Sequence, residues 1–163
     1  MIELQYPDSM SMSPQHDAPS ELLLIVVGAN LDAERRDRPL GYRLREQILR
    51  WQDERRSKAT GDLPLLQPIV CTDLWYLNDD SLRDKPVIAL GDPSDNAAAA
   101  ALANRLPTAF VIEHTLRVHM DLEFIDLQAC LWGVNPSATV SAVDLFVERY
   151  LDDFLREAVE SLA

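Results

Sequence analysis

The sequence predicts an α/β protein, a three-layer α/β/α sandwich around a mainly parallel sheet with one antiparallel edge strand. Within Val87–Arg105, a run of β-prone apolar residues ends at Gly91, and Asp92-Pro93-Ser94 then supplies a helix cap and a proline for the first turn of an alanine-rich helix. The same order recurs at residues 129–143, ACLWGVNPSATVSAV. Alternating strands and helices are typical of parallel sheets built from right-handed crossovers.

The strands are predicted from two kinds of apolar pattern. Leu22–Gly28 is continuously apolar, as expected of a central strand that is buried on both faces. Apolar and polar residues alternate through 116–122, which is typical of a strand with one face in water and favours an edge position. The predicted strands lie near 22–28, 69–71, 86–91, 109–113 and 129–134, with the edge strand near 117–122.

The helices are predicted from caps and periodicity. Pro39 is expected to start the first helix after a loop at 29–38, with an apolar stripe that packs on the sheet. One long helix is expected from Pro136 to about Leu162. In the connection at 72–80, Trp75 and Leu77 are expected to tuck into the core.

The chain is predicted to form a single domain over residues 21–163, preceded by an irregular arm at 1–20. A chain of 163 residues can bury a core without a metal or a disulfide. No apolar run approaches the roughly 20 residues that span a bilayer, and no charged leader with an apolar core precedes the domain, so a cytoplasmic protein is expected. Cys71 and Cys130 lie in or beside strands and are expected to be buried thiols.

The charge is strongly negative but unevenly placed. The net charge of −12 disfavours nucleic acid and anionic membranes as partners. Residues 35–58 nevertheless hold nine of the fifteen Lys and Arg residues against four acidic residues. This basic helix either offsets the acids of its own domain or docks an acidic protein partner or a second subunit. Tyr42 and Leu49, beside Arg45, form a candidate interaction spot on its outer side.

The familiar catalytic motifs are absent from the sequence. There is no dinucleotide-binding or phosphate-binding glycine loop, no nucleophile elbow and no Cys-x-x-Cys or His-Glu-x-x-His pair. His114 and His119 are expected at the surface, and no histidine motif accompanies Cys71 to make it a nucleophile. We therefore assign no catalytic residue, no metal site and no cofactor, and whether the protein is an enzyme stays open.

Polar residues follow the predicted strands at one edge of the sheet, in the turns after Gly28, Cys71, Gly91 and Gly133. Ligands of open α/β sheets bind at this edge, and helix N-termini there offer free N–H groups. The same residue types are also ordinary helix caps. The candidate ligand-binding residues are Asn30, Thr72, Asp73, Asp92, Ser94, Asn96, Asn135 and Ser137.

Two functions from different classes remain open at this point. The first is a protein-interaction or self-associating module, favoured by the missing motifs and by the opposed charges of residues 35–58 and the rest of the chain. The alternative is a small-ligand site, conceivably enzymatic, at the carboxyl edge of the sheet.

Overall fold

The computed structural model describes residues 20–162, so the predicted N-terminal arm lies almost wholly outside the described residues. Within them, six strands alternate with helices. The strands are β1 (Ser20–Val27), β2 (Leu65–Thr72), β3 (Val87–Leu90), β4 (Thr108–Ile112), β5 (Leu116–Met120) and β6 (Gln128–Gly133). The helices are α1 (Leu31–Lys58), α2 (Asp73–Asn78), α3 (Ala97–Arg105), α4 (Pro136–Arg149) and α5 (Leu151–Glu160), with one 3-10 turn at Asp80–Leu82.

The strands form one sheet in the order β2-β1-β3-β6-β5-β4, and only β5 runs against the others. Helices α1, α4 and α5 cover one face, while α2 and α3 cover the other, which confirms the predicted three-layer sandwich. Alternation along β1 supplies both cores, because Leu23 and Ile25 point to the first face and Leu24 and Val26 to the second.

The edge position differs from the prediction. The alternating segment forms β5, which lies second from the edge, and β4 is outermost. A tight turn explains this order: the Thr115 N–H donates to the Ile112 carbonyl over 3.0 Å, and His114 adopts a φ of 60° between them. The chain therefore reverses at once, and β4 pairs with β5 as the outer strand of a hairpin.

Two helix boundaries also differ from the prediction. Helix α1 begins eight residues before Pro39, at Leu31, because the Asn30 side chain accepts a hydrogen bond from the Ala33 N–H and caps it. Pro39 is exposed, where solvent can bond the carbonyl that its ring leaves free. The C-terminal helix is divided at Tyr150, whose φ of −127° ends α4 before α5 begins.

The burial around α2 is the reverse of the prediction. Tyr76 is buried in the second core, whereas Trp75 and Leu77 are exposed. Helix α2 is only six residues long, and the sheet takes the face that carries Asp73 and Tyr76. Asp73 is held there by backbone N–H groups, which fixes the helix in this rotation.

A buried amide joins the two central parallel strands to α3. Asn96 has no exposed surface, and its Nδ2 donates to the Val26 carbonyl over 3.0 Å and to the Leu90 carbonyl over 2.8 Å. Its Oδ1 accepts the Ala99 N–H and caps α3. Asn96, and not Asp92, is thus the cap of this helix, which corrects the predicted start.

We expect Asn96→Ala to lower the free energy of unfolding by about 3 kcal/mol, because two buried carbonyls and a helix N–H lose their partner. Urea unfolding measures this loss. The matched control is Asn78→Ala: Asn78 is exposed and donates only to the Leu74 carbonyl in its own helix, so its loss should stay within about 0.5 kcal/mol. Equal losses in the two variants would contradict the role given to Asn96.

Candidate functional site

The carboxyl ends of β1, β2, β3 and β6 lie along one edge of the sheet, since these four strands are parallel. The turns predicted to form a ligand site therefore do share an edge. Most of the polar side chains in them, however, are already bonded to the backbone of neighbouring turns.

Asp73 is the most heavily engaged of these side chains. It is buried, and its Oδ1 accepts the N–H groups of Ala29 over 3.0 Å and Leu74 over 2.8 Å, while its Oδ2 accepts that of Ala97 over 2.8 Å. Its carboxylate thus ties the turn after β1 to the starts of α2 and α3. Thr72, beside it, caps α2 by accepting the Trp75 N–H.

The turns after β1 and β3 press directly against each other. Asn30 donates from Nδ2 to the Asp95 carbonyl over 3.0 Å. A Cβ placed on Gly28 would lie 2.1 Å from the same Asp95 oxygen, so only glycine allows this approach. The gap between β1 and β3, where the strand order reverses and ligands of such sheets usually bind, is therefore closed by the protein's own backbone.

The other predicted site residues are local turn and cap residues. Asp92 Oδ1 accepts the N–H and hydroxyl of Ser94 within its own turn. Asn135 accepts the Ala138 N–H and caps α4, as expected of this residue, and Ser137 is exposed in the first turn of α4. These contacts are those of helix capping, the alternative that the sequence left open.

Asp37, which the sequence did not single out, lines the remaining crevice at this edge. It is 4% exposed, and no hydrogen bond or ion pair reaches its carboxylate from the residues that the structure describes. The crevice has a volume of about 40 Å³. Its lining, named here the Asp37 crevice, consists of Arg36, Asp37, Asp92, Asp95, Gly133, Val134, Asn135, Pro136 and Thr139.

The electrostatics of the Asp37 crevice oppose ionisation of the buried carboxyl. The pKa of Asp37 is raised to about 6: burial is the largest cause, the charge of Arg36 opposes it, and the charges of Asp95 and Asp92 add to it. Arg36 offsets only part of this rise in pKa, because its guanidinium is bound to Asp95 over 2.8 Å. Asp37 therefore changes its charge near neutral pH.

Asp37 was missed because of the proline. Ala33, Asp37, Leu40, Leu44 and Ile48 are all buried on one stripe of α1. A helix that begins at Pro39 leaves Ala33 and Asp37 in the preceding loop, outside the helical repeat of apolar residues. Extending the stripe backwards from Leu40 would have placed Asp37 against the sheet.

His119 and the two cysteines are buried in the structure, whereas His114 is exposed. His119 is buried, contrary to the prediction, between Thr108 of β4 and Trp132 of β6. Its Nε2 accepts the Trp132 Nε1–H over 3.0 Å, and burial and then Arg117 lower its pKa. His114 is exposed, as predicted. Both cysteines are buried and free, and burial raises the pKa to about 11 for Cys71 and about 12 for Cys130, which makes them poor nucleophiles at neutral pH.

The predicted interaction spot on α1 is only partly free. Tyr42 is 50% exposed, with the Arg38 guanidinium 5.9 Å from its ring centre. Leu49 is half-buried, and Arg45 donates from Nε to the Pro68 carbonyl of β2 over 3.0 Å. Arg45 thus has a structural contact within the chain.

Comparison of the chain with protein-family models, with curated proteins and with solved structures found no match. Over residues 20–162, no group of three or more His, Cys, Asp or Glu side chains is placed to hold a metal ion. In the same range, no helix has the length and hydrophobicity to cross a membrane.

We expect Asp37 to make the stability of the protein depend on pH. A carboxyl whose pKa is higher in the folded state than in the unfolded chain favours the fold while protonated and opposes it once ionised. The free energy of unfolding of Asp37→Asn, compared with the parent, should therefore rise between about pH 4 and pH 7, by up to about 3 kcal/mol. Urea unfolding of both proteins at several pH values measures this difference, and a difference that is flat with pH would contradict the assignment.

Proposed function

We propose that this protein is a self-associating module in which the β4 edges of two copies pair. The observation that carries the proposal is a difference between the two edges of the sheet. The β2 edge is closed by side chains of the same chain, whereas no side chain within residues 20–162 closes the β4 edge.

The β2 edge is closed by α1. Gln52 is buried, donates to the Leu66 carbonyl over 2.9 Å and accepts the Leu66 N–H over 2.7 Å, as a neighbouring strand would. Arg45 bonds the Pro68 carbonyl, and Pro68 has no N–H to offer. These contacts protect the middle of β2 from pairing with another chain.

The β4 edge lacks such protection among the residues that the structure describes. Its backbone hydrogen bonds run to β5 or to the hairpin turn, and no side chain caps its outer side. Thr108–Ile112 carries no charge, and Val111 and Ile112 are 39% and 45% exposed. A bulge between Thr108 and Phe110 interrupts the start of the strand, which leaves Phe110–Ile112 as the regular part.

A second copy is the partner that suits this edge. Antiparallel pairing of two identical strands is two-fold symmetric, so each copy offers the same surface to the other. The paired segment, Thr108–Ile112, carries no charge, so two copies do not repel each other there. Because the regular segment is short, we expect a dimer with a dissociation constant that is roughly micromolar.

The basic helix is less suited to this role. Part of its charge is neutralised by acidic residues of the same chain, which favours the interpretation that the basic helix offsets the acids of its own domain. The ion pairs are Arg36 with Asp95, Arg38 with Glu34 and Arg43 with Asp144. Tyr42, Arg45 and Leu49 therefore stay a secondary candidate surface, for an acidic partner.

The exposed apolar side chains around α2 are a second alternative surface. Leu31, Leu74, Trp75 and Leu77 lie at the carboxyl end of the sheet. Acidic residues lie close to them in the sequence, namely Asp32 beside Leu31, and Asp79 and Asp80 shortly after Leu77. Two such surfaces would repel each other, which disfavours self-association there.

The proposal includes a cytoplasmic location and no nucleic-acid partner. The two free cysteines are typical of a reducing compartment. The net charge of −12 opposes binding to a polyanion. No catalytic step forms part of the proposal.

We expect Val111→Lys to weaken self-association at least about tenfold, because it places a charge in the paired segment. Sedimentation velocity over a range of protein concentrations measures this effect. Leu74→Lys is the matched control, since it adds the same charge at an exposed apolar position at the end of the sheet where β1 and β2 finish, and it should leave association unchanged.

High salt separates the edge contact from a charge-driven one. Backbone hydrogen bonds and apolar contacts should persist at 1 M salt, where charges are screened within about 3 Å. A protein that is monomeric at every concentration, or a dimer that is lost in Leu74→Lys or Tyr42→Ala but kept in Val111→Lys, would refute the proposal.

A further inference from the structure

We propose that the Asp37 crevice binds a primary alkylammonium group, with the Asp37 carboxylate as its counter-ion. This inference does not depend on self-association through β4. It depends on the burial of Asp37, on the lack of a partner for it among residues 20–162 and on the charge and size of the crevice.

The carboxylate of Asp37 packs against the backbone of Gly91. Gly91 has a φ of +106°, and a Cβ placed on it would lie 2.5 Å from Asp37 Oδ2. The glycine therefore leaves the space that the carboxylate fills. No donor among residues 20–162 bonds this carboxylate, and its oxygens are not sealed from the crevice, so a donor that carries positive charge can replace solvent there and gain a strong interaction.

The other charged groups of the crevice leave an excess of negative charge. Arg36 is the only cation of the lining, and it is already bound to Asp95 and to the Asp32 carbonyl. Asp92 uses one oxygen to bond Ser94 and adds a second negative charge near Asp37. The elements on the far side, β6 and α4, contribute no charged residue to the lining.

The size of the crevice selects among cations. A volume of about 40 Å³ is close to that of one water molecule, and an –NH₃⁺ group is a compact donor of three hydrogen bonds. Over the described residues, no group of three or more His, Cys, Asp or Glu side chains is placed to hold a metal ion. Val134 and Pro136 are exposed at the rim and can contact the methylene groups of an alkyl chain.

A primary alkylammonium group could come from a free small amine or from a lysine side chain of another protein. The shared chemistry is a charged nitrogen donor on an alkyl stem. The two sources are distinguished by comparing n-propylammonium with Nα-acetyl-lysine amide, whose ammonium is the same but whose backbone resembles a peptide.

The experiment is calorimetric titration of the full chain with n-propylammonium chloride at pH 7.5 and constant ionic strength. Sodium chloride, 1-propanol and tetramethylammonium chloride are the control ligands, since they lack the nitrogen, the charge or the N–H donors. We expect binding of n-propylammonium alone. We also expect it to weaken as the pH falls from 7.5 to 5, because Asp37 then takes up a proton and loses its charge.

The variants decide whether Asp37 is the counter-ion. Asp37→Asn should weaken n-propylammonium binding about tenfold or more, while Asp53→Asn, which removes an exposed carboxylate from the same helix, should leave it unchanged. Tighter binding of the lysine amide than of n-propylammonium supports a protein side chain as the source, and equal binding supports a free amine. No binding, equal binding of the control ligands, or equal binding by Asp37→Asn and the parent would overturn the proposal.

Discussion

The structure depends on the way in which side-chain amides and carboxylates replace water at the carboxyl ends of the parallel strands. Those strand ends leave carbonyls, and the helices that follow leave N–H groups, in a region that the two cores bury. Asn96 bonds the ends of β1 and β3 with one amide, and Asp73 collects three N–H groups with one carboxylate. These two side chains fix α2 and α3 against the sheet and leave little room for a ligand there.

Side chains that bond backbone groups also distinguish the two edges of the sheet, and over the described residues the carboxylate of Asp37 lacks such a bond. The Gln52 side chain forms the two hydrogen bonds with Leu66 that a neighbouring strand would form. Helix α1 therefore covers the first core and also closes the β2 edge of the sheet. No element of the described residues closes the β4 edge in this way, and the hairpin at 112–115 places β4 outermost in the sheet. Asp37 on α1 faces the turn after β3 without a partner among residues 20–162. The β4 edge and the Asp37 carboxylate are thus two places where the described part of the chain leaves a strong interaction unused.

The sequence predicts the layers of this fold well, because they depend on local pattern. The continuous apolar run of β1 and the Asn135-Pro136 start of α4 are local signals, and the structure has both. Asn96 and Asp92 are equally good caps by composition, and the choice between them depends on the Val26 carbonyl, 70 residues away. The burial of His119 depends on the pairing of β4 with β5, and that of Asp37 on a helix that continues through Pro39. The contacts of Asn96 and His119 leave no local period in the sequence, whereas the apolar period of α1 does reach Asp37 once the helix is continued through Pro39.

The central claim is that the β4 edge is used by a second copy, and amide hydrogen exchange of β4 at low and high protein concentration tests it most directly. Backbone amides that pair across an interface exchange more slowly as the dimer fills, while those of a free edge exchange at one rate. We predict slower exchange at high concentration within Phe110–Ile112 and no change in β2, whose Leu66 N–H is bonded by Gln52 in each copy. Exchange in Phe110–Ile112 that is independent of concentration, in a protein that does self-associate, would contradict this account.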